Sequence, residues 1–140
     1  MRYALALFPG QGAQHPGMGV DLAEQSTAAR QIFNAAGEAA GFDVLAACRD
    51  SAADELSRTE LSQIAIFTHS LAALAALEER GVTFEAAAGF SLGEYTALTA
   101  GGVLSLADGL RLVRRRGQLM QAAADAQDGC MAAVLGLPDE

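Results

Sequence analysis

The 140-residue sequence contains no lysine and no tryptophan. Its nine basic side chains are all arginines, which excludes reactions that need an amine, such as Schiff-base formation, and excludes a phosphate-binding loop built on lysine. Acidic residues outnumber arginines 17 to 9, so the formal net charge is −8. Because phosphate binding needs a basic face, this balance argues against a nucleic-acid partner.

Cysteine and histidine are scarce as well. Cys48 and Cys130 lie far apart and fit no metal-ligand spacing, so we interpret them as structural thiols, expect no metal site, and favour a reducing, cytoplasmic compartment. The two histidines are His15 and His69. His69 falls inside an apolar segment, where a hydrogen-bonded core residue is more common than a catalytic base.

Long hydrophobic segments are also missing. The apolar run at residues 3–8 is too short for the core of a signal peptide, and we predict a buried strand there. Residues 61–77 carry no charge, but polar residues interrupt them and they are shorter than a bilayer span, so we predict a buried helix and no membrane association. An apolar share of 51% with only 6% aromatics suits helices packed closely around a small sheet.

The remaining pattern predicts an α/β domain, or part of one. Residues 22–50 are alanine-rich and helical, with breaks predicted at Gly37 and Gly41, and residues 57–61 are predicted to be a short connection. A long helix is expected from about Glu60 to Arg80, before a glycine cap. Residues 130–137 predict a further strand.

The sequence Gly89-Phe90-Ser91-Leu92-Gly93 is a G-x-S-x-G motif between a short apolar run and a helical segment. This order is that of a nucleophile elbow, a sharp strand-to-helix turn that exposes the serine hydroxyl. Glycine is needed on both sides of the serine because the backbone is crowded there. The pentapeptide alone leaves an ordinary strand-to-helix turn as an equal alternative.

A second glycine-rich loop, Gly10-Gln11-Gly12, follows the first predicted strand. A dinucleotide fingerprint would need a third glycine at position 15, where the sequence has His15, so that class is excluded. The two glycines leave the backbone free to approach a ligand, with the N–H of Gln11 available as an oxyanion donor. The alternative is a plain turn.

The third feature is a helix of about twenty residues that begins after Ser105, with Asp108 completing a capping box. At about 100° per residue, Leu110, Val113 and Gly117 share one apolar stripe with Leu106 and Met120, and Arg111, Arg114 and Arg115 lie opposite. Arg116 instead falls within the apolar arc. From spacing alone it is either a structural ion pair or snorkelling side chain, or a clamp for an anionic substrate group.

The motifs at residues 8–14, 89–95 and 114–117 occur together in an order and spacing that resembles the malonyl-CoA:acyl carrier protein transacylases of fatty-acid synthesis. The resemblance implies an α/β-hydrolase-like large subdomain, here incomplete and covering residues 1–126, with residues 127–140 starting a small ferredoxin-like subdomain. It implies Ser91 as nucleophile, the N–H groups of Gln11 and Leu92 as the oxyanion hole, and Arg116 as the partner of the malonyl carboxylate. Malonyl-CoA and acyl carrier protein would be the substrates, with no separate cofactor.

Two positions depart from the family pattern. Phe90 stands where members usually have histidine, which affects substrate contacts rather than the nucleophile. The family's catalytic histidine follows the serine, whereas this sequence has no histidine after Ser91. We therefore expect the 140 residues to be an N-terminal portion that is inactive alone and works with the remaining C-terminal part of the enzyme.

The competing interpretations are a truncated or split fragment without catalytic function, and a serine hydrolase or thioesterase with the same elbow. An inward Arg116 argues against the second, because a neutral ester would leave its charge unpaired.

Overall fold

The computed structural model describes residues 4–127 together with Gly129 and Gly136. Within this part of the chain, strands β1 (Leu5–Phe8) and β2 (Ala86–Gly89) form a parallel sheet, with Leu5 opposite Ala86 and Phe8 opposite Gly89. The helices described are α1 (Val20–Gln25), α2 (Thr27–Ala40), α3 (Val44–Asp50), α4 (Ala53–Leu56), α5 (Thr59–Glu78), α6 (Leu92–Ala100) and α7 (Leu106–Ala126). The predicted α/β class is confirmed. The strand predicted at residues 130–137 lies outside the described residues, Gly136 excepted.

Helix α5 is the centre of the packing. It contacts α7 and α2 most extensively and also touches α1, α3, α4 and α6. Its apolar residues point in all directions, as expected of a helix surrounded by others. The prediction that the segment falls short of a bilayer was wrong, because α5 has 20 residues and is long and apolar enough to cross a membrane. Most of it is buried among its neighbours, which fits a core helix.

Side-chain caps set the ends of several helices. Ser26 caps α2 by accepting the Ala29 N–H, and Ser105 caps α7 by accepting the Asp108 N–H, as predicted. Glu79, just after α5, accepts hydrogen bonds from Ser26 Oγ and the Ala28 N–H, which joins the end of α5 to the start of α2. These contacts hold the Glu79 pKa below its usual value.

Two boundaries in the helical region differ from the prediction. Gly37 lies inside α2, because its backbone remains helical, and the break falls at Gly41, whose φ of 77° is left-handed. The connection predicted at residues 57–61 is shorter. Residues 53–56 form α4, and α5 already begins at Thr59.

Strand β1 is less buried than predicted. Phe8 is buried, but Leu5 is 57% and Leu7 is 70% exposed. Side chains alternate across a strand, so neighbouring positions lie on opposite faces of the sheet. In the described part of the chain, the face carrying Leu5 and Leu7 is largely open.

Cys48 is a free thiol in the core, with no accessible surface. Burial raises its pKa to about 11, and the nearby Asp43 contributes to the increase. A thiol of this kind is mostly protonated at neutral pH and therefore a poor nucleophile. This agrees with a structural role, whereas Cys130 lies outside the described residues.

Two glycines in helix interiors should respond oppositely to alanine. A Cβ on Gly109 would lie 2.6 Å from Thr99 Oγ1 and 2.7 Å from Phe67 Cζ, whereas a Cβ on Gly37 would meet only Phe42 O, at 3.4 Å. We expect Gly37→Ala to raise the free energy of unfolding by about 0.5–1 kcal/mol through helix propensity. Gly109→Ala should lower it by about 1–3 kcal/mol through overpacking. Urea denaturation measures both, and an equal gain from the two variants would contradict the packing of α7 on α5 and α6.

Candidate active site

The carboxyl ends of the two strands bring the predicted motifs together. Because β1 and β2 are parallel and in register, the loop after Phe8 and the turn after Gly89 emerge at the same edge of the sheet. Ligands of α/β proteins commonly bind at this edge. A Cβ on Gly10 would lie 3.0 Å from Phe90 O and 3.7 Å from Ser91 Cβ, so the glycine-rich loop lies directly against the serine turn.

The turn at Ser91 has the geometry of a nucleophile elbow. Ser91 has φ 54° and ψ −107°, and in residues 4–127 no other residue except glycine has positive φ. A Cβ on Gly89 would lie 1.9 Å from Gly93 O, and one on Gly93 would lie 2.2 Å from Phe8 O. Both glycines are thus required by backbone crowding. These distances favour the elbow over an ordinary turn.

The two predicted oxyanion donors, the N–H groups of Leu92 and Gln11, belong to the two segments that meet at the serine turn. Leu92 is the first residue of α6, where N–H groups have no partner in the preceding turn. Gln11 lies in the loop beside Gly10. In residues 4–127, neither the Leu92 nor the Gln11 N–H donates to a backbone oxygen outside its own element. Leu92 itself is fully buried, and the role of both N–H groups as oxyanion donors stays a prediction.

Arg116 extends from α7 to the serine. Its Nη2 donates to Ser91 Oγ at 3.0 Å, and its Nη1 donates to Gln63 Oε1. The guanidinium carbon lies 5.5 Å from the centre of the Tyr95 ring, within cation–π range. Over the described ranges, Arg116 forms no ion pair with aspartate or glutamate. The structural ion pair considered from the sequence is thus not found there, and the contacts of the guanidinium named above are all to neutral groups.

Gln63 is the site residue that the sequence analysis missed. It lies on α5 with 1% of its surface exposed and accepts the hydrogen bond from Arg116. Its Nε2 donates to Gln11 Oε1 at 3.3 Å, and Gln11 Nε2 in turn donates to Thr59 Oγ1 at 3.2 Å. The available signal was a long amide side chain in an otherwise apolar helix, which was treated only as an interruption of a hydrophobic segment.

The two histidines lie next to each other. Their rings are 6.5 Å apart and nearly perpendicular. His69 is half-buried, and among the described residues its Nδ1 has no hydrogen-bond partner, contrary to the expected hydrogen-bonded core histidine. Burial lowers the His69 pKa, and His15 lowers it further against an opposing effect of Asp21. In residues 4–127, the Ser91 hydroxyl bonds to neither histidine.

Arg114 departs from its predicted place on the solvent-facing side of α7. It is half-buried, and its Nη1 donates to Ala39 O at 2.6 Å, near the carboxyl end of α2. Terminal helix carbonyls attract cations, which accounts for this contact. Arg111 and Arg115 are exposed, as predicted.

Across the described residues, no three histidine, cysteine, aspartate or glutamate side chains cluster in a way that could hold a metal.

Comparison with known proteins places this arrangement in a family. Residues 6–139 match the family described as "Acyl transferase domain". The chain belongs to that acyltransferase family. The malonyl CoA-acyl carrier protein transacylase of Bacillus subtilis (strain 168) is 44% identical over 134 residues, which is 96% of this chain and 42% of that protein. The chain thus spans about two fifths of this relative.

Solved acyltransferase structures share the fold. The malonyl CoA-acyl carrier protein transacylase of Clostridium perfringens is 38% identical, with a TM-score of 0.82 over 87% of this chain and 39% of that one. A malonyl-transacylase solved with its type II PKS acyl-carrier protein is 37% identical, with a TM-score of 0.81 over 87% of this chain and 40% of that one. The resemblance stated from the motifs is therefore confirmed.

The backbone strain at Ser91 leads to a stability prediction. Holding a residue with a Cβ in a backbone conformation of this kind lowers the free energy of unfolding by about 1–3 kcal/mol, and glycine avoids this strain. We expect the free energy of unfolding of Ser91→Gly to be about 1 kcal/mol higher than that of Ser91→Ala, because only alanine keeps a strained Cβ. The comparison is matched, because both variants lack the hydroxyl that contacts Arg116. As a control, Ala123→Gly on the exposed face of α7 should lower the free energy of unfolding by about 1 kcal/mol, because glycine is a poor helix former. Denaturant titration gives all three values, and a less stable Ser91→Gly would contradict the strained turn.

Proposed function

We propose that the full gene product containing these residues transfers malonyl from coenzyme A to the phosphopantetheine thiol of acyl carrier protein through a malonyl ester on Ser91. The observation that carries this proposal is the position of Arg116. Its guanidinium lies 3.0 Å from the Ser91 hydroxyl and has no carboxylate partner among the described residues. A planar, charged fork beside a nucleophile suits an acyl group that ends in a carboxylate.

The proposed reaction has two halves. Ser91 Oγ attacks the thioester carbonyl carbon and gives its proton to a base. The C–S bond then breaks as the base returns the proton to sulfur, and coenzyme A departs as a thiol. The thiol of acyl carrier protein then attacks the ester and returns Ser91 to the hydroxyl form. In both halves the N–H groups of Gln11 and Leu92 would donate to the oxyanion.

A serine needs a proton acceptor to become a useful nucleophile. His69 and His15 make no hydrogen bond to Ser91 in residues 4–127, so neither fits this role. We propose that the acceptor is a histidine in the remaining C-terminal part of the same enzyme. The coenzyme A thioester is a substrate in this scheme, and no further cofactor is needed.

The comparisons support the partners. The relatives' names give malonyl-CoA and acyl carrier protein as what those proteins act on, and one relative was solved with its carrier protein. We extend both substrates to this protein, together with a cytoplasmic location and no nucleic-acid or membrane partner. The incomplete large subdomain at residues 1–126 and the small subdomain starting at residue 127 belong to the same proposal.

A serine hydrolase or thioesterase is the weaker alternative. Such an enzyme acts on a neutral acyl group, and its substrate would leave the Arg116 charge without a counterion beside the reacting atoms. A hydrolase transfers its acyl group to water and needs no carrier protein, whereas one relative was solved in complex with an acyl-carrier protein. The complete and strained elbow at Ser91 likewise argues against a fragment without catalytic function.

The first prediction is a covalent intermediate. The full gene product incubated with malonyl-CoA should gain one malonyl group on Ser91, because transfer between two thiols needs a waiting acyl-enzyme. Peptide mass spectrometry locates the adduct, and Ser91→Ala is the control. An adduct on another residue, or one that survives this substitution, would contradict the mechanism.

The second prediction concerns acyl selectivity. Arg116→Ala should lower kcat/KM for malonyl-CoA about ten- to a hundredfold, since hydrogen bonds to charged groups contribute about 1.5–3 kcal/mol, while acetyl transfer is kept or improved. Arg116→Lys should recover only part of the kcat/KM for malonyl-CoA that Arg116→Ala loses, because an ammonium lacks the bidentate fork. The matched control is Arg115→Ala, an exposed neighbour that should change neither rate. Equal losses for malonyl and acetyl groups in a folded Arg116→Ala would make the residue a structural brace.

A further inference from the structure

We propose that Gln63 is a positioning residue that aims Arg116 at the carboxylate of the acyl group and at the same time holds the Gln11 loop in place. The inference rests on the transferase function proposed above. It goes beyond that function because it assigns the selectivity of Arg116 to a residue on a different helix that does not touch the substrate.

The first support is the joint contact. Gln63 Oε1 accepts from Arg116 Nη1, and Gln63 Nε2 donates to Gln11 Oε1 at 3.3 Å. One amide therefore joins the residue proposed to bind the carboxylate to the residue proposed to hold the oxyanion. With 1% of its surface exposed, Gln63 has no water to replace either partner.

The direction of the chain of hydrogen bonds follows from Arg116. A guanidinium has five N–H donors and no acceptor, so the atom of Gln63 that faces it must be the carbonyl oxygen. The Gln63 NH₂ group then faces Gln11, whose own oxygen must face Gln63. The NH₂ group of Gln11 is left to donate to Thr59 Oγ1, at 3.2 Å. A single charged group thus orients both amides.

The neutrality of Gln63 is the second support. The Gln63 amide accepts a hydrogen bond from Nη1 of Arg116 without cancelling its charge, and Nη2 remains turned toward Ser91. A glutamate here would form an ion pair with Arg116 and compete with the carboxylate of the substrate. An apolar residue of the same length would leave the guanidinium free to adopt other rotamers. Glutamine is the side chain that fixes the fork and keeps its charge available.

The close approach of α7 to α5 makes this contact possible. A Cβ on Gly117, next to Arg116, would lie 3.1 Å from Glu60 Cα and 3.3 Å from Gln63 Cβ. Both distances are tighter than usual side-chain contacts. Glycine at position 117 therefore allows the two helices to pack so that the short reach of an amide is enough to meet the guanidinium.

The test uses two variants and a matched control in the full gene product. Gln63→Met keeps the length of the side chain and removes its hydrogen bonds to Arg116 and Gln11, while Gln63→Glu keeps the shape and adds a charge. Gln118→Glu makes the same chemical change at an exposed position of α7, outside this chain of hydrogen bonds. Steady-state kcat and KM are measured with malonyl-CoA and with acetyl-CoA.

We expect Gln63→Met to lower kcat/KM for both substrates, and about tenfold more for malonyl-CoA than for acetyl-CoA. A displaced Gln11 loop affects both acyl groups, whereas a displaced Arg116 affects only the malonyl carboxylate. Gln63→Glu should lower the malonyl value further, although glutamate is the closer match in shape. Gln118→Glu should leave both substrates unchanged. The inference would be overturned by a folded Gln63→Met whose malonyl-to-acetyl ratio of kcat/KM equals that of the wild type, whether both values fall together or neither changes.

A structural measurement separates this inference from the proposed function. A crystal structure of Gln63→Met should show Arg116 Nη2 moved away from Ser91 Oγ and the Gln11 side chain turned away from Thr59. Unchanged positions would overturn the positioning role, whatever the activity. If the wild-type protein forms no malonyl ester on Ser91, the transferase function fails, while this structure still decides whether Gln63 positions Arg116.

Discussion

The site depends on a close backbone contact at the serine turn. A side chain on Gly93 would collide with the carbonyl oxygen of Phe8, and one on Gly89 would collide with Gly93 itself. Only with both glycines does the start of α6 lie against the end of β1. That contact forces Ser91 into its strained conformation and brings the Gly10 loop beside it. The geometry of the serine turn and its position beside the Gly10 loop both follow from this packing.

The charge of Arg116 next to Ser91 is the second constraint. Acidic residues outnumber arginines in this sequence, yet within the described residues Arg116 is bonded to a hydroxyl and an amide rather than to a carboxylate. Partial burial makes such a charge costly unless a ligand pairs with it. In the proposed reaction, the carboxylate of the acyl group would be that partner. Strain at Ser91 and an unpaired Arg116 are both costs that a purely structural domain would avoid.

Much of the site could be predicted because it depends on short-range geometry. The elbow follows from glycine spacing, and the inward position of Arg116 follows from helical periodicity along α7. Gly37 and Arg114 were misplaced for a different reason. Whether a glycine breaks a helix depends on its surroundings, and Arg114 turns inward because Ala39 offers a carbonyl from α2. Neither neighbour is visible from spacing within one helix.

The sequence by itself determined the class of the fold, the elbow and the residue types of the site, because these depend on backbone sterics and on the period of a single helix. Only the tertiary structure decided that Gln63 joins Gln11 to Arg116, that Arg116 contacts Ser91, and that Leu5 and Leu7 remain exposed. The partners in those hydrogen bonds are 25 to 53 residues apart in sequence. Their meeting depends on how closely α5, α7 and the sheet pack, which is a property of the whole core rather than of any one segment.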